Sequence, residues 1–340
     1  MSKTIIVTGG GTGGHLSVAR SFIDEFYKRG YRIIYIGSLK GQDRQWFENE
    51  PKLYKKYFFD TRGVVDQNLL GKFKSLYKIL KAVVDSIGVI VKYKVSKIVS
   101  VGGFSAAAAS FAAILTRKDF YIHEQNSVMG KLNKLTAKGA KEVFSSYDES
   151  SKVKDYPINQ IFFEHTRIRE SVKTVIFLGG SQGADAINKF ALKVATALDK
   201  MNINIIHQTG KNSFKDIKEQ YAELGIKADV FDFSKEILSK MDKADFAVSR
   251  AGASTLWELT ALGIPTLYVP FPYAAADHQY YNAKYLIDNG LCFLKREDEL
   301  TQEYLIEAIN SDIGSISKML SESIQKNGIE KIVDMIELPT

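Results

Sequence analysis

The stretch IIVTGGGTGGHLSVARSFIDEFYKRG, residues 5–30, decides the fold. A β-branched run ends in glycines at positions 9, 10, 11, 13 and 14, and an amphipathic helical pattern follows at once. Strand, glycine turn, helix is how a βαβ unit begins. Main-chain N–H groups in such a turn, with the positive end of the helix behind them, receive phosphate or carboxylate oxygens. Glycine permits the approach because a Cβ would collide with the ligand. His15 follows the last of these glycines. An unperturbed imidazole titrates at about 6.5, and a helix N-terminus disfavours its cation. His15 is therefore a candidate general base. The competing reading is an ordinary surface histidine at a helix start.

Two familiar glycine-loop chemistries do not fit. A phosphate-binding loop of the NTPase kind needs lysine where His15 stands. A dinucleotide reader wants an acid at the end of the second strand, and YIGSLKG (35–41) offers glycine and serine. What fits is the repetition of the pattern. TIIVTG (4–9), RIIYIG (32–37), IVSVGG (98–103), FYIHE (120–124), TVIFLGG (174–180), NIIHQTG (204–210), FAVSR (246–250) and TLYVP (266–270) read as buried strands, with helical segments between most of them. VIFLGGSQGADAIN (175–188) restarts strand, glycine turn, helix in the second half. The expectation is an α/β protein of two Rossmann-like domains with parallel sheets, 1–160 and 170–327. The weakly periodic segment of about 145–173 is the expected linker. The helical end, 328–338, can pack back on the first domain.

Composition narrows the class. A chain of 340 residues suits two domains. The single cysteine, Cys292, excludes an internal disulfide and a multi-cysteine zinc site. No apolar run approaches the roughly 20 residues of a spanning helix. The net charge of +7 asks for an anionic partner: a phosphorylated substrate, a membrane surface or a nucleic acid. The basic residues are scattered and no nucleic-acid motif appears, so no nucleic-acid partner is expected.

SRAGASTLWELTALGIPTLYVPFPYAAADHQYYNA (249–283) is the densest second-half signal. Small residues free a helix N-terminus to meet an anion. Glu258, one turn inside, can accept from the vicinal hydroxyls of a ribose, or can simply be an acid favoured near a helix start. Gln279 carries a donor and an acceptor, which suits sugar hydroxyls.

Seven motifs in order, GGGTGGH (9–15), VGGFSAA (101–107), HEQN (123–126), GGSQGA (179–184), HQTGK (207–211), SRAGASTLWE (249–258) and DHQYYNA (277–283), span nearly the whole chain. The chain resembles the MurG family of bacterial glycosyltransferases. That resemblance implies the GT-B architecture, two Rossmann-like domains facing across a cleft. It implies UDP-GlcNAc as donor, lipid I (undecaprenyl-pyrophosphoryl-MurNAc-pentapeptide) as acceptor, lipid II as product, inversion at the sugar, and neither metal nor other cofactor. It places Thr12, Gly13 and Gly14 against the donor and its diphosphate, His15 as base with Glu124 as rival, and Asn126 at the reacting sugars. It places Ser181 on the diphosphate, Phe233 and Ser234 at the uracil edge, and Gln279 on the GlcNAc hydroxyls. Ala253, Ser254, Thr255, Leu256 and Glu258 would line phosphate and ribose. Two departures stand out. The family's Gly-Asn-Pro-Val-Arg is here HTRIR (165–169), so Arg169 takes the donor arginine with Arg167 as competitor, and Phe104 replaces a common tyrosine.

A lipid acceptor requires a membrane, and the resemblance implies peripheral attachment at the cytoplasmic face of the bacterial plasma membrane. Residues 66–97 are the candidate surface for anionic headgroups: Leu69, Phe73, Leu76, Leu80, Val83 and Ile87 recur at helical spacing, with Lys72, Lys74, Lys78 and Lys81 nearby. The same stripe can instead pack on the sheet. Two other functions share the two-domain pattern: a UDP-GlcNAc 2-epimerase, which needs no acceptor, and a nucleotide-sugar-binding regulatory subunit without turnover.

Overall fold

Residues Thr4–Thr8 are buried at all five positions, and this first strand organises everything around it. The computed structural model describes residues 3–61, 69–180, 183–232, 234 and 237–338, with backbone alone for 69–74. In chain order the strands are β1 (Thr4–Thr8), β2 (Arg32–Ser38), β3 (Leu53–Phe59), β4 (Lys97–Ser100), β5 (Asp119–Glu124), β6 (Glu142–Ser145), β7 (Thr174–Leu178), β8 (Asn204–Gln208), β9 (Ala228–Phe231), β10 (Phe246–Ser249), β11 (Thr266–Tyr268) and β12 (Phe293–Leu294). They form two all-parallel sheets, β3-β2-β1-β4-β5-β6 and β12-β11-β10-β7-β8-β9. Counted within its own half, the second order repeats the first, so each sheet has the doubly wound order with a switch point beside its first strand.

The chain divides into two compact units, 1–158 with 327–340, and 159–326. In the first, Ile6, Ile34, Ile36, Ile98, Phe120 and Ile122 form one sheet face. The helices Leu69–Lys92 and Ala107–Leu115 cover it with Val83, Val89, Ile90, Ala109, Ala112 and Ala113. The helix Gly328–Glu337 returns to this unit and packs on the helix Gly13–Lys28, burying Ile332, Val333 and Ile336 completely. Arg29 fixes that return. Its guanidinium binds Glu25, Asp334 and Glu337, each at 2.7 Å, and Tyr31 donates to Glu337 at 2.7 Å. In the second unit, Val175, Phe177, Ile205, Phe246, Val248 and Leu267 meet Ile187, Ala191, Val194 and Leu198 of the helix Asp185–Lys200.

Each unit holds one histidine sealed in its interior. His123 lies edge-on to Phe22 and Tyr156, and His207 sits between the Tyr221 hydroxyl and the Asn188 carboxamide, 3.0 Å from each. Burial pushes both down to about 3, helped at His123 by the charge of His15. A histidine depressed in the folded state stays neutral there, while the unfolded chain takes up a proton below about pH 6.5. Stability is therefore complete above that pH and is lost as pH falls toward 3. Between pH 7 and 5 the loss from His207 should be about 2 kcal/mol. Urea unfolding at the two pH values checks it: H207Q should lose that part of the pH dependence, and an unchanged dependence in H207Q would refute the assignment.

Candidate active site

Ligands of doubly wound sheets bind outside the carboxyl ends of the strands, at the switch point. In the first unit that point lies between β1 and β4. The loops leaving these strands are packed main chain on main chain. Gly10 N–H donates to Gly102 O at 3.1 Å, and a Cβ on Gly103 would stand 2.2 Å from Gly10 O. A Cβ on Gly11 would strike the Phe104 ring at 2.5 Å. Gly9, Gly10 and Gly11 thus serve the protein's own packing, which corrects the reading of the whole run as a ligand surface. Gly13 differs: a Cβ there would meet Gln42 at 3.5 Å and Trp46 at 3.9 Å, ordinary contacts, in unexceptional backbone. Packing within the chain therefore leaves room for a side chain at 13.

A residue unnoticed in the sequence holds this loop. Asp43 is fully buried; its carboxylate accepts from Gly11 N–H at 2.7 Å, Ser38 N–H at 3.1 Å and the Tyr35 hydroxyl at 3.1 Å. Tyr35 is raised well above the usual phenol range, by burial first and then by Asp43. The acid sought at the end of β2 is present five residues later and binds protein main chain. Only its position just after the glycine of SLKGQD signals it.

Thr12 is exposed at the cap of the helix Gly13–Lys28, with its Oγ1 2.9 Å from Nδ1 of His15. Glu124 is not placed as a base. It is 3% exposed, and its oxygens accept from Asn126 N–H at 2.9 Å, Gly130 N–H at 2.9 Å and Asn133 Nδ2 at 2.8 Å. A carboxylate so engaged orders the loop carrying Asn126, which is half-buried.

In the second unit the switch point lies between β7 and β10. The helix Ala253–Ala261 begins immediately after β10, with Gly252 as its cap and open space over that glycine. Asn282 Nδ2 holds the loop through Ala251 O at 3.1 Å. Ala253, Ser254 and Thr255 form the opening turn of the helix, the end that favours an anion. Leu256 is corrected: its side chain is fully buried and its N–H donates to Gly252 O at 2.9 Å, so it offers no group to a ligand. Thr255 and Glu258, three residues apart, share a half-buried face. Gln279 Oε1 accepts from Phe271 N–H at 3.0 Å, which commits its carbonyl to the protein and leaves the amide N–H₂ as its donor. Ser234 is half-buried, while Ser181 and Phe233 lie outside the described residues.

Arg169 is the clearest correction. It is 1% exposed and donates to the carbonyls of Arg167, Ala244 and Leu262, with its own N–H on Ser317 Oγ at 2.9 Å. Burial, with Arg167 beside it, pulls the guanidinium down to about 9. Arg167 pairs with Asp245 at 2.8 Å. Both arginines tie residues 165–169 to the second unit.

The chain resembles known proteins over nearly its whole length. Residues 5–145 match the glycosyltransferase family 28 N-terminal domain, and residues 174–338 its C-terminal domain. A Sulfurovum protein named UDP-N-acetylglucosamine–N-acetylmuramyl-(pentapeptide) pyrophosphoryl-undecaprenol N-acetylglucosamine transferase is 46% identical over 98% of each chain. A Campylobacter jejuni protein of the same name is 45% identical over 97% of this chain and 96% of its own. The chain belongs to this transferase family. The crystal structure of Acinetobacter baumannii MurG matches with a TM-score of 0.79 at 26% identity, over 98% of this chain and 99% of that one. The fold is GT-B, the expected class. A putative UDP-N-acetylglucosamine 2-epimerase from Listeria monocytogenes shares the fold at a TM-score of 0.68 with 11% identity, over 99% of this chain and 96% of that one.

Removing the Arg169 guanidinium should act on stability. R169M leaves Leu262 O without its donor, at about 1–3 kcal/mol, and takes one of two donors from Ala244 O and Arg167 O, which keep Arg167 Nη2 and Ser317 Oγ. A lowered unfolding temperature with unchanged KM for the donor in the folded fraction is expected; a raised KM at unchanged stability would return Arg169 to the ligand.

Proposed function

We propose that this chain transfers N-acetylglucosamine from UDP-N-acetylglucosamine to the C4 hydroxyl of undecaprenyl-pyrophosphoryl-N-acetylmuramyl pentapeptide, giving lipid II and UDP. The observation that carries this is identity of 46% across nearly the full length of a transferase named for that reaction. The 2-epimerase likeness is one of fold alone, at 11% identity.

The step is a single displacement. The acceptor O4 attacks C1 of the sugar, the bond from C1 to the β-phosphate oxygen breaks, and UDP leaves with the electron pair. The O4 proton passes to Nε2 of His15. Glu124 supports the Asn126 loop and takes no proton. Developing charge on the diphosphate is met in the second unit by the helix start at Ala253, Ser254 and Thr255. Glu258 accepts from the ribose hydroxyls, Ser234 lies at the base, and the Gln279 amide donates to the sugar. General-base help is worth about 10²–10⁴-fold. UDP release by H15A with a short-chain lipid I analogue should fall by at least about 10², while E124Q should lose affinity or stability without losing the acidic limb of the pH profile, where the base takes up its proton. An H15A rate near wild type would remove His15 as the base.

The membrane reading rests on one helix face. Among the described side chains of Leu69–Lys92, Val83 and Ile87 of the expected stripe face the core with Ile90, which corrects that end of the stripe. Leu76 and Leu80 of the stripe are exposed, together with Tyr77, Val84 (by 66%) and Val91, and Leu115 and Leu135 are exposed as well. Leu69, Lys72, Phe73 and Lys74 lie outside the described side chains. Lys81, Lys92, Lys94 and Lys118 supply positive charge from the same helix and its neighbour. No helix among the described residues is long and apolar enough to cross a membrane. An apolar row flanked by lysines suits the surface of an anionic bilayer, at its cytoplasmic face. L80D/V84D should abolish sedimentation with phosphatidylglycerol vesicles while preserving turnover of a water-soluble acceptor. Undiminished vesicle binding would move the membrane surface elsewhere.

A further inference from the structure

Thr12 stands at the cap of a sixteen-residue helix in extended backbone, φ −129° and ψ 156°, where a threonine hydroxyl normally accepts from an N–H of the first turn. It makes no such bond. Its oxygen is turned instead onto the ring of the third helical residue, Oγ1 to His15 Nδ1 at 2.9 Å. Forgoing a cap costs about 1 kcal/mol. A local rule broken at an exposed residue beside the site has a functional reason more often than a structural one.

The direction of this hydrogen bond decides what His15 can do. If the Thr12 hydroxyl donates, Nδ1 holds the lone pair, Nε2 carries the hydrogen, and the ring cannot accept a proton at Nε2. If Nδ1–H donates to Oγ1, the lone pair is on Nε2. A threonine hydroxyl has one proton and two lone pairs. A diphosphate oxygen arriving at the start of the helix accepts a hydrogen bond from that O–H and leaves a hydroxyl lone pair facing the ring.

We propose that Thr12 is a positioning residue: its hydroxyl accepts from His15 Nδ1–H and donates to a substrate diphosphate, so that substrate binding selects the tautomer with its lone pair on Nε2. This rests on the reading of His15 as the base. The diphosphate belongs either to the nucleotide sugar or to the lipid acceptor, and both present the same oxygens.

The test compares T12V, T12S and H15A in the full-length protein. T12V should lower kcat by about 10-fold or more, on the scale of a lost tautomer-fixing hydrogen bond, with the donor KM moving far less, and T12S should restore most of the rate. Two-bond ¹H–¹⁵N spectra of ¹⁵N-histidine protein supply the second readout. Wild type should show His15 as the Nδ1–H tautomer with UDP if the donor diphosphate is the partner, or only with the lipid I analogue if the acceptor's is; T12V should show neither. A T12V enzyme with wild-type kcat, a T12V effect confined to KM, or an Nε2–H tautomer in both wild-type complexes overturns the proposal. If H15A itself retains wild-type rate, the base reading falls and takes this with it. If H15A is inactive and T12V is not, only the role of Thr12 falls.

Discussion

The first unit depends on a contact between two main chains. At the carboxyl ends of β1 and β4 the loops touch without side chains between them: Gly10 bonds to Gly102, and Gly103 leaves no space for a Cβ against Gly10 O. This closeness draws the start of the helix Gly13–Lys28 over the switch point. Asp43 then fixes the loop from the β2 side. Thr12 and His15 are placed by a backbone arrangement rather than by their own packing, as a site needs if its side chains are to face a ligand. The second unit solves the same problem differently. There the Gly183 turn lies against Thr209 O, Asn188 bonds that carbonyl at 3.1 Å, and His207 backs Asn188. The buried histidine of HQTGK is a support for the loop.

What the sequence revealed follows strand position. All eight strands read from it are interior to a sheet, where both faces are covered and the residues run continuously apolar. The four that escaped, β3, β6, β9 and β12, are the four edges. Edge strands are half-exposed and carry charge that discourages further pairing. LYKKYFF at β3 puts two lysines in mid-strand, and the last strand is two residues long. Period and composition alone could not separate these from loops.

Of the candidate residues the sequence singles out, some keep open positions and others prove to be held by the protein itself. His15, Thr12, Thr255 and Glu258 keep partly open positions. Glu124, Leu256 and Arg169 do not, and in each case the reason is saturation or burial. A carboxylate or guanidinium in a motif looks the same in sequence whether it faces a substrate or three main-chain groups. Asp43 shows the reverse error, a buried acid invisible until the loop it binds is seen. Charged residues near glycine turns have two clients, the ligand and the turn, and only coordinates tell which is served.

The loop that carries Gln279 shows how far the second unit goes to hold one amide. Ala276 and Asp277 are consecutive non-glycine residues at φ 51° and 53°, a left-handed pair that costs about 1–3 kcal/mol for each residue. The strain persists because the surroundings impose it. Arg296 binds Asp277 Oδ2 at 2.7 Å and lies over the Tyr280 ring, while Phe271 N–H holds the Gln279 carbonyl. These three contacts fix the first turn of the helix His278–Ile287 from both sides. A relaxed loop would let the Gln279 side chain swing and spend its carbonyl on water. With that oxygen bound internally, the side chain presents its N–H₂ in one direction, as a donor, and a hydroxyl meeting it must accept. Strain in the backbone is thereby converted into a fixed polarity of the Gln279 side chain.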